Sequence, residues 1–244
     1  MKRYVSVFEM LVRSSIYKVL GVLGVMVVAE TALLAFAWNQ SIALLQPTLE
    51  EWVNRSWISI PFLLAYWLIS IILAFSGTNI GSMQGYTLQR LRISEKKVYL
   101  LQCVYNIFCY AILWTTQLLF LLVISDFYMK HKTGALLTNQ TVFLAFYRNR
   151  FMHGVLPMED ILGWMILGFY VVMTGILMAK FARSQRKGKI EWLSIVFLPT
   201  VVIAFHKGLD GGGYLALMVA VTCCMFMLLQ AFMNKGVQED ESEG

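Results

Sequence analysis

The chain has 244 residues and a formal net charge of +6, with 59% hydrophobic and only 14% charged residues. A soluble domain averages roughly 45–50% apolar and about 25% charged residues, so this composition points to lipid as the main solvent. The basic residues lie in short loops beside apolar runs, which favours a role in membrane orientation and argues against nucleic-acid binding.

The first predicted element is an interfacial helix at residues 1–15. In the run KRYVSVFEMLVR, the apolar residues Tyr4, Phe8 and Leu11 fall on one helical face, and the charged residues fall mostly elsewhere. This pattern predicts an amphipathic helix that lies flat on the cytoplasmic leaflet before the first span begins. The alternative is a frayed basic N-terminus.

Six apolar runs then predict an all-α, polytopic membrane protein, because roughly 20 helical residues cross about 30 Å of hydrocarbon. The domain covers 16–233, with spans at 16–38, 58–75, 98–124, 161–181, 190–205 and 214–233. The acidic tail at 234–244 is predicted to be disordered. The fifth span contains Pro199 and ends at a glycine cluster, which is typical of a helix that turns back.

The distribution of basic residues predicts the orientation. Fourteen of the 20 Lys and Arg residues lie in the two terminal segments and in the loops after spans two and four, and six lie in the opposite loops. Cytoplasmic loops carry the excess of Lys and Arg, so both termini are predicted to be cytoplasmic in a multi-pass protein of the cell membrane. An even number of spans requires the same arrangement.

The sequence lacks the local motifs of several enzyme classes. It contains no G-x-x-x-x-G-K-[ST], no G-x-S-x-G and no H-E-x-x-H. The four cysteines lie within apolar runs without a C-x-x-C pair, which argues against a zinc site or a disulfide framework. We therefore predict no catalytic residue, no cofactor and no metal bound by this chain.

One enzymatic alternative comes from the run EEWVNR at Glu50–Arg55. Its E-E-x-x-x-R spacing, followed by the pairs Phe127/His131 and His206/Asp210, resembles the motif set of intramembrane abortive-infection-type proteases. That family places its glutamates and histidines in membrane helices, whereas Glu50 and His131 fall in predicted loops here. The other interpretation is a solvated loop helix that carries two glutamates and an arginine.

Few polar side chains interrupt the predicted spans. Glu30 lies about two-thirds of the way through span one, and Gln102 and Asn106 share a face of span three, with Gln117 further along. A charge at the bilayer centre costs at least ~2.5–3.5 kcal/mol, so Glu30 is expected to face protein or water. We predict a translocation path at Glu30, Gln102 and Asn106; a glutamate at the interface and plain helix–helix contacts are the alternatives.

The loop between spans two and three contains the run YTLQRLRISEKKVYLLQ, which is long, basic and regularly interrupted by Leu and Ile. On a helix, Leu88, Leu91, Arg92 and Glu95 would share one side. Such a helix on the cytoplasmic side could press apolar residues into a groove of a soluble partner. A loop that only fixes the topology would explain the charge, but not Leu91 and Ile93 among the charged residues.

The flat N-terminal helix, the six spans and this basic segment together resemble the permease subunits of type-2 ATP-binding-cassette exporters. The resemblance implies that the segment is the coupling helix, with its contact to the ATPase at Arg90, Leu91, Arg92, Ile93, Ser94 and Glu95. It also implies a separate ATPase subunit that binds ATP and Mg²⁺, and a second permease, identical or related. The expected substrate is an amphipathic, peptide-like or lipid-like compound. The alternative function is a non-transporting membrane assembly or immunity factor.

Overall fold

The computed structural model describes residues 2–41, 48–75, 95–131, 139–158 and 161–186. Within these ranges the chain is almost entirely α-helical and contains no strand, which confirms the predicted all-α class. The helices are α1 (Lys2–Ser41), α2 (Leu49–Ser56), α3 (Ser59–Phe75), α4 (Glu95–His131), α5 (Asn139–Arg148), α6 (Arg150–Val155) and α7 (Ile161–Arg186).

Three described segments are long and apolar enough to cross a membrane: Ser15–Asn39, Lys97–His131 and Ile161–Gln185. They correspond to the first, third and fourth predicted spans. The second predicted span corresponds to α3, which passes the same test only together with α2, across a bend of 50°. The fifth and sixth predicted spans and the acidic tail lie outside the described residues.

α1 differs from the expected arrangement at its start. The sequence predicts a flat helix over 1–15 followed by a separate span, but α1 is one continuous helix of 40 residues. At 1.5 Å per residue this helix is about 60 Å long. No glycine or proline occurs between Lys2 and Leu20, so nothing in the local sequence interrupts the helical hydrogen bonds there.

α2 begins with a capping box. The Thr48 hydroxyl accepts a hydrogen bond from Glu51 N, and the Glu51 carboxylate accepts one from Thr48 N. The helix ends at Trp57, which adopts the left-handed conformation with φ of 54°. This conformation stops α2 and lets α3 start two residues later in a new direction.

α4 is the central helix, and its neighbours α7 and α1 run in opposite directions. Its most extensive contact is with α7, and Tyr99 lies near Arg183 while Trp114 lies near Trp164, so the two helices are antiparallel. α1 runs parallel to α4, because Ser15 bonds to Tyr105 and Trp38 lies near Phe127.

We call the end of the bundle where α1 begins the proximal end, and the opposite end the distal end. α3 ends, α4 begins and α7 ends at the proximal end. The distal end carries the three short helices α2, α5 and α6. Two indole groups attach α2 and α6 to the long helices. Trp52 Nε1 of α2 donates to Leu34 O of α1 at 3.1 Å, and Trp114 Nε1 of α4 donates to Val155 O of α6 at 2.9 Å.

Candidate functional site: a buried polar column

A column of buried polar side chains runs along one face of α4. Gln102, Asn106, Tyr110 and Gln117 are all at most 1% exposed, and their spacing places them on one side of the helix. Over these residues α4 rises by about 22 Å, most of the thickness of a bilayer core. Each level of this polar column meets a different neighbouring helix.

Near the proximal end, Asn106 contacts the backbone of α7. With its oxygen towards α7, the amide accepts from Ala179 N at 3.2 Å and donates to Gln102 O at 3.3 Å, which satisfies both groups. With the amide turned over, Nδ2 instead lies 3.3 Å from Gly175 O. We favour the first orientation because it leaves no like groups facing each other. Either way, Asn106 bonds to main-chain atoms of α7.

This contact depends on a close approach of the two helices at Gly175. A Cβ atom at this position would lie 2.5 Å from Ile107 Cγ1 and 2.8 Å from Ile107 N. Backbone atoms cannot move aside as a flexible side chain can, so only glycine fits here without a shift of one helix.

The middle level of the column consists of two tyrosines and two hydroxyl residues. Tyr66 OH lies 2.7 Å from Thr174 Oγ1, and Tyr110 OH lies 2.8 Å from Ser70 Oγ. The Thr174 and Ser70 hydroxyls donate their own protons to Tyr170 O and Tyr66 O, respectively. Both tyrosines must therefore be the donors, and this network connects α3 to α4 and to α7.

Further towards the distal end, Glu30 of α1 and Gln117 of α4 face each other. Both side chains are 0% exposed. Neither the Glu30 carboxyl nor the Gln117 amide has a hydrogen bond with suitable geometry within the described part of the chain. Buried polar groups are almost always hydrogen-bonded, and an unpaired one costs about 1–3 kcal/mol, so this pair stands out from the rest of the column.

The three residues of the predicted translocation path thus all belong to the polar column, at two of its levels. Asn106 faces α7, and Gln102 lies one turn before it on the same face of α4. Glu30 lies further towards the distal end, where it projects from α1 towards Gln117 of α4. Sequence reasoning missed the middle level. Two i, i+4 pairs of hydroxyl residues within the apolar runs could have indicated this level: Tyr66 with Ser70, and Tyr170 with Thr174.

The predicted ATPase contact falls at the edge of the described residues. Arg90, Leu91, Arg92, Ile93 and Ser94 lie outside them, and Glu95 is the first residue of α4. α3 ends at Phe75 and α4 begins at Glu95, both at the proximal end.

Some residues of the protease-like motif make local contacts in the described ranges. Glu51 completes the capping box of α2, and the His131 ring stacks on Phe127 with a centroid distance of 4.0 Å. His206 and Asp210 lie outside the described residues. The described ranges also contain no group of three His, Cys, Asp or Glu side chains that could hold a metal ion.

The comparisons with known proteins identify no relative: the chain matches no protein-family model, and it has no significant similarity to a curated protein or a solved structure.

Proposed function

We propose that this chain is the membrane-spanning permease subunit of an ATP-binding-cassette exporter. It has six spans and both termini in the cytoplasm, it lies in the cell membrane, and it hydrolyses no ATP itself. A separate ATPase subunit binds ATP and Mg²⁺, and a second permease completes the transporter. The observation that carries the proposal is that α4, which begins at Glu95 at the end of the basic segment, also carries the polar column.

The position of the segment supports this proposal. α3 ends at Phe75 and α4 begins at Glu95, so the chain enters and leaves the segment at the proximal end. Arg13 and Lys18 of α1 are exposed at the same end, and fourteen of the 20 Lys and Arg residues lie in segments predicted on this side. Under the positive-inside rule, this end faces the cytoplasm, where a soluble ATPase can reach Arg90 and Arg92.

The central position of α4 supports a coupling mechanism. A displacement of the segment at 86–97 acts on the first turn of α4, and the buried face of α4 contacts α1, α3 and α7. Rigid elements that pass a two-state motion between subunits are an established mechanism of conformational switching. ATP-driven closure of the ATPase subunits would thus change the contacts along the polar column.

The Glu30–Gln117 level is the best candidate for a substrate contact. It offers carboxyl and amide groups that no other described residue bonds, among the apolar side chains of the core. An ionisable residue inside a membrane segment is by default a functional candidate. The apolar surroundings together with one polar contact suit an amphipathic, peptide-like or lipid-like substrate better than a hydrated ion.

Co-purification tests the proposal. The tagged chain is expressed with its neighbouring genes, and ATP hydrolysis of the purified assembly is measured. We expect an ATPase to co-purify with the parent and to be lost with Arg90→Glu plus Arg92→Glu. Arg13→Glu plus Lys18→Glu is the matched control, because it reverses two exposed charges at the same end, and it should retain the ATPase.

Two outcomes would contradict the permease function. The first is a parent assembly without any ATP-hydrolysing subunit, which would favour the membrane assembly or immunity factor. The second is labelling of a cysteine at position 90 from outside the cell by a membrane-impermeant maleimide. Either result would remove the cytoplasmic coupling helix on which the proposal depends.

The role of Glu30 has its own test. Glu30→Gln keeps the shape of the side chain and removes its ability to carry a charge. We expect the complex to assemble normally but to lose substrate-dependent stimulation of ATP hydrolysis. Glu9→Gln, at an exposed position on the same helix, should leave that stimulation unchanged.

A further inference from the structure

Three arginines surround one junction at the distal end of the bundle. Arg55 lies in the last turn of α2, Arg148 is the last residue of α5, and Arg150 is the first residue of α6. All three side chains are exposed. The junction itself is a contact between α2 and the short break that separates α5 from α6.

The buried side chain of Asn149 builds this junction. Its Oδ1 atom accepts hydrogen bonds from Phe151 N at 3.0 Å and Met152 N at 3.1 Å, which caps α6. Its Nδ2 atom donates to Asn54 Oδ1 at 3.1 Å. The three arginines are the chain neighbours of these two asparagines, so a fixed scaffold holds their backbones close together.

The arginines have no partner of opposite charge in the described part of the chain. At the same end, Asp126 is already paired with Lys130 at 2.6 Å. Glu51, one turn before Arg55, accepts a hydrogen bond from Thr48 N instead. Three exposed guanidinium groups on neighbouring backbones can attract an anion, and Arg matches the geometry of phosphate oxygens well.

The surroundings of the arginines are aromatic and apolar. Trp57 directly follows α2 and is 63% exposed, and Tyr147 directly precedes Arg148 and is 55% exposed. α5 buries Ala145 and Phe146 but exposes the apolar residues Phe143 and Leu144. Exposed aromatic rings beside basic residues are typical of the level at which a membrane protein meets lipid headgroups.

We infer that Arg55, Arg148 and Arg150 form a binding site for the phosphate of a phospholipid headgroup. The exposed face of α5 contacts the acyl boundary, and the three guanidinium groups bind the phosphate above it. This inference rests on the membrane location of the helices and is independent of the transport function. The site would hold the cap of short helices at a fixed depth in the bilayer.

The test measures lipid binding by the purified full-length chain. The detergent-solubilised protein is titrated with phosphatidylglycerol, with phosphatidylcholine or with a phosphate-free glycolipid, and bound lipid is counted by native mass spectrometry. We expect the tightest binding for phosphatidylglycerol and the weakest for the glycolipid. Each of the substitutions Arg55→Gln, Arg148→Gln and Arg150→Gln should weaken phosphatidylglycerol binding by about fivefold.

Lys130→Gln is the matched control, because it removes one positive charge at the same end from a residue already paired with Asp126. It should change binding by less than about twofold. Arg148→Lys keeps the charge but loses the planar guanidinium group, so its affinity should fall between those of the parent and Arg148→Gln. Far-ultraviolet circular dichroism and thermal unfolding confirm that each variant is folded, as expected for exposed positions.

Three results would overturn the inference. One is a triple glutamine variant that binds phosphatidylglycerol like the parent. Another is equal binding of phosphatidylglycerol and the phosphate-free glycolipid. The third is competition by inorganic phosphate at the same concentrations, which would assign the arginines to free phosphate instead of a lipid.

Discussion

α4 meets α7 and α1 through two contacts of opposite character. Against α7 the backbones approach closely at Gly175, and Asn106 bonds directly to the α7 main chain. Against α1 the contact is anchored near its ends, by the Ser15–Tyr105 hydrogen bond and by the Trp38 and Phe127 rings. Between those anchors lie Glu30 and Gln117, which do not satisfy each other.

This difference indicates that the α4–α7 interface is rigid, whereas the α1–α4 interface can change its conformation. Close packing and satisfied polar groups make the α4–α7 pair costly to separate. Within the described ranges, Glu30 and Gln117 lose no hydrogen bond if α1 and α4 move apart, and a ligand can supply partners for them. We therefore expect conformational change, and any substrate contact, at the α1–α4 side of the polar column.

The largest expected effect comes from Gly175→Ala. The new Cβ would lie 2.8 Å from a backbone nitrogen of α4, so the helices must move apart, at a cost of about 1–3 kcal/mol of unfolding free energy. Unfolding by sodium dodecyl sulfate in mixed micelles measures the change. Gly168→Ala, on the same helix with no atom within 4 Å, is the control and should be neutral or slightly stabilising. Equal stability of the two variants would refute the close contact.

A second pair of variants compares the two interfaces directly. Asn106→Leu removes the hydrogen bonds to α7 and should lower the unfolding free energy by about 1–1.5 kcal/mol. Glu30→Leu combined with Gln117→Leu removes two groups without a hydrogen bond to any described residue, so stability should stay the same or increase. The same unfolding assay applies to both. If the double variant were the less stable one, the proposed contrast would be reversed.

Substitutions at the middle level of the column should lower the unfolding free energy by a smaller amount. Tyr66→Phe removes the donor to Thr174 and leaves the ring in place, with an expected loss of about 0.6–1 kcal/mol. A double-mutant cycle with Thr174→Ala isolates this hydrogen bond from other contacts. A coupling energy of zero would mean that the two hydroxyls do not bond to each other.

The smallest effect is expected for Ser15→Ala at the proximal anchor of α1. It removes the 2.8 Å hydrogen bond to Tyr105, which contributes about 0.6 kcal/mol in a membrane setting. Hydrogen exchange of the first turns of α1 should increase, while exchange in α7 should stay unchanged. Increased exchange in α7 as well would indicate that the two interfaces are coupled.

The positions of long apolar helices were predictable because a span needs only length and apolar composition. The first predicted span, 16–38, agrees with Ser15–Asn39, and the fourth, 161–181, agrees with Ile161–Gln185. The third predicted span ended at 124, but α4 continues to His131. Its last turns contain Asp126 and Lys130, whose charges end the apolar run although the pair supports the helix at i, i+4 spacing.

The pairing of the helices was not predictable in the same way. Glu30 and Asn106 were recognisable because a polar residue contrasts with an apolar run, but nothing local indicates that one faces Gln117 and the other faces Ala179. Gly175 is similar: its sequence neighbours do not distinguish it from Gly168, and only the approach of Ile107 from another helix does. The two asparagines of the distal junction, Asn54 and Asn149, lie far apart in the sequence for the same reason.

The continuity of α1 has a mechanical consequence. Beyond the candidate span Ser15–Asn39, the same helix extends by about 20 Å without a joint. A lipid surface or another subunit that binds those first turns therefore also sets the tilt of the whole helix. A small rotation of α1 at its first turns would move Glu30 relative to Gln117, so the N-terminal turns offer a second way to change the interior of the bundle.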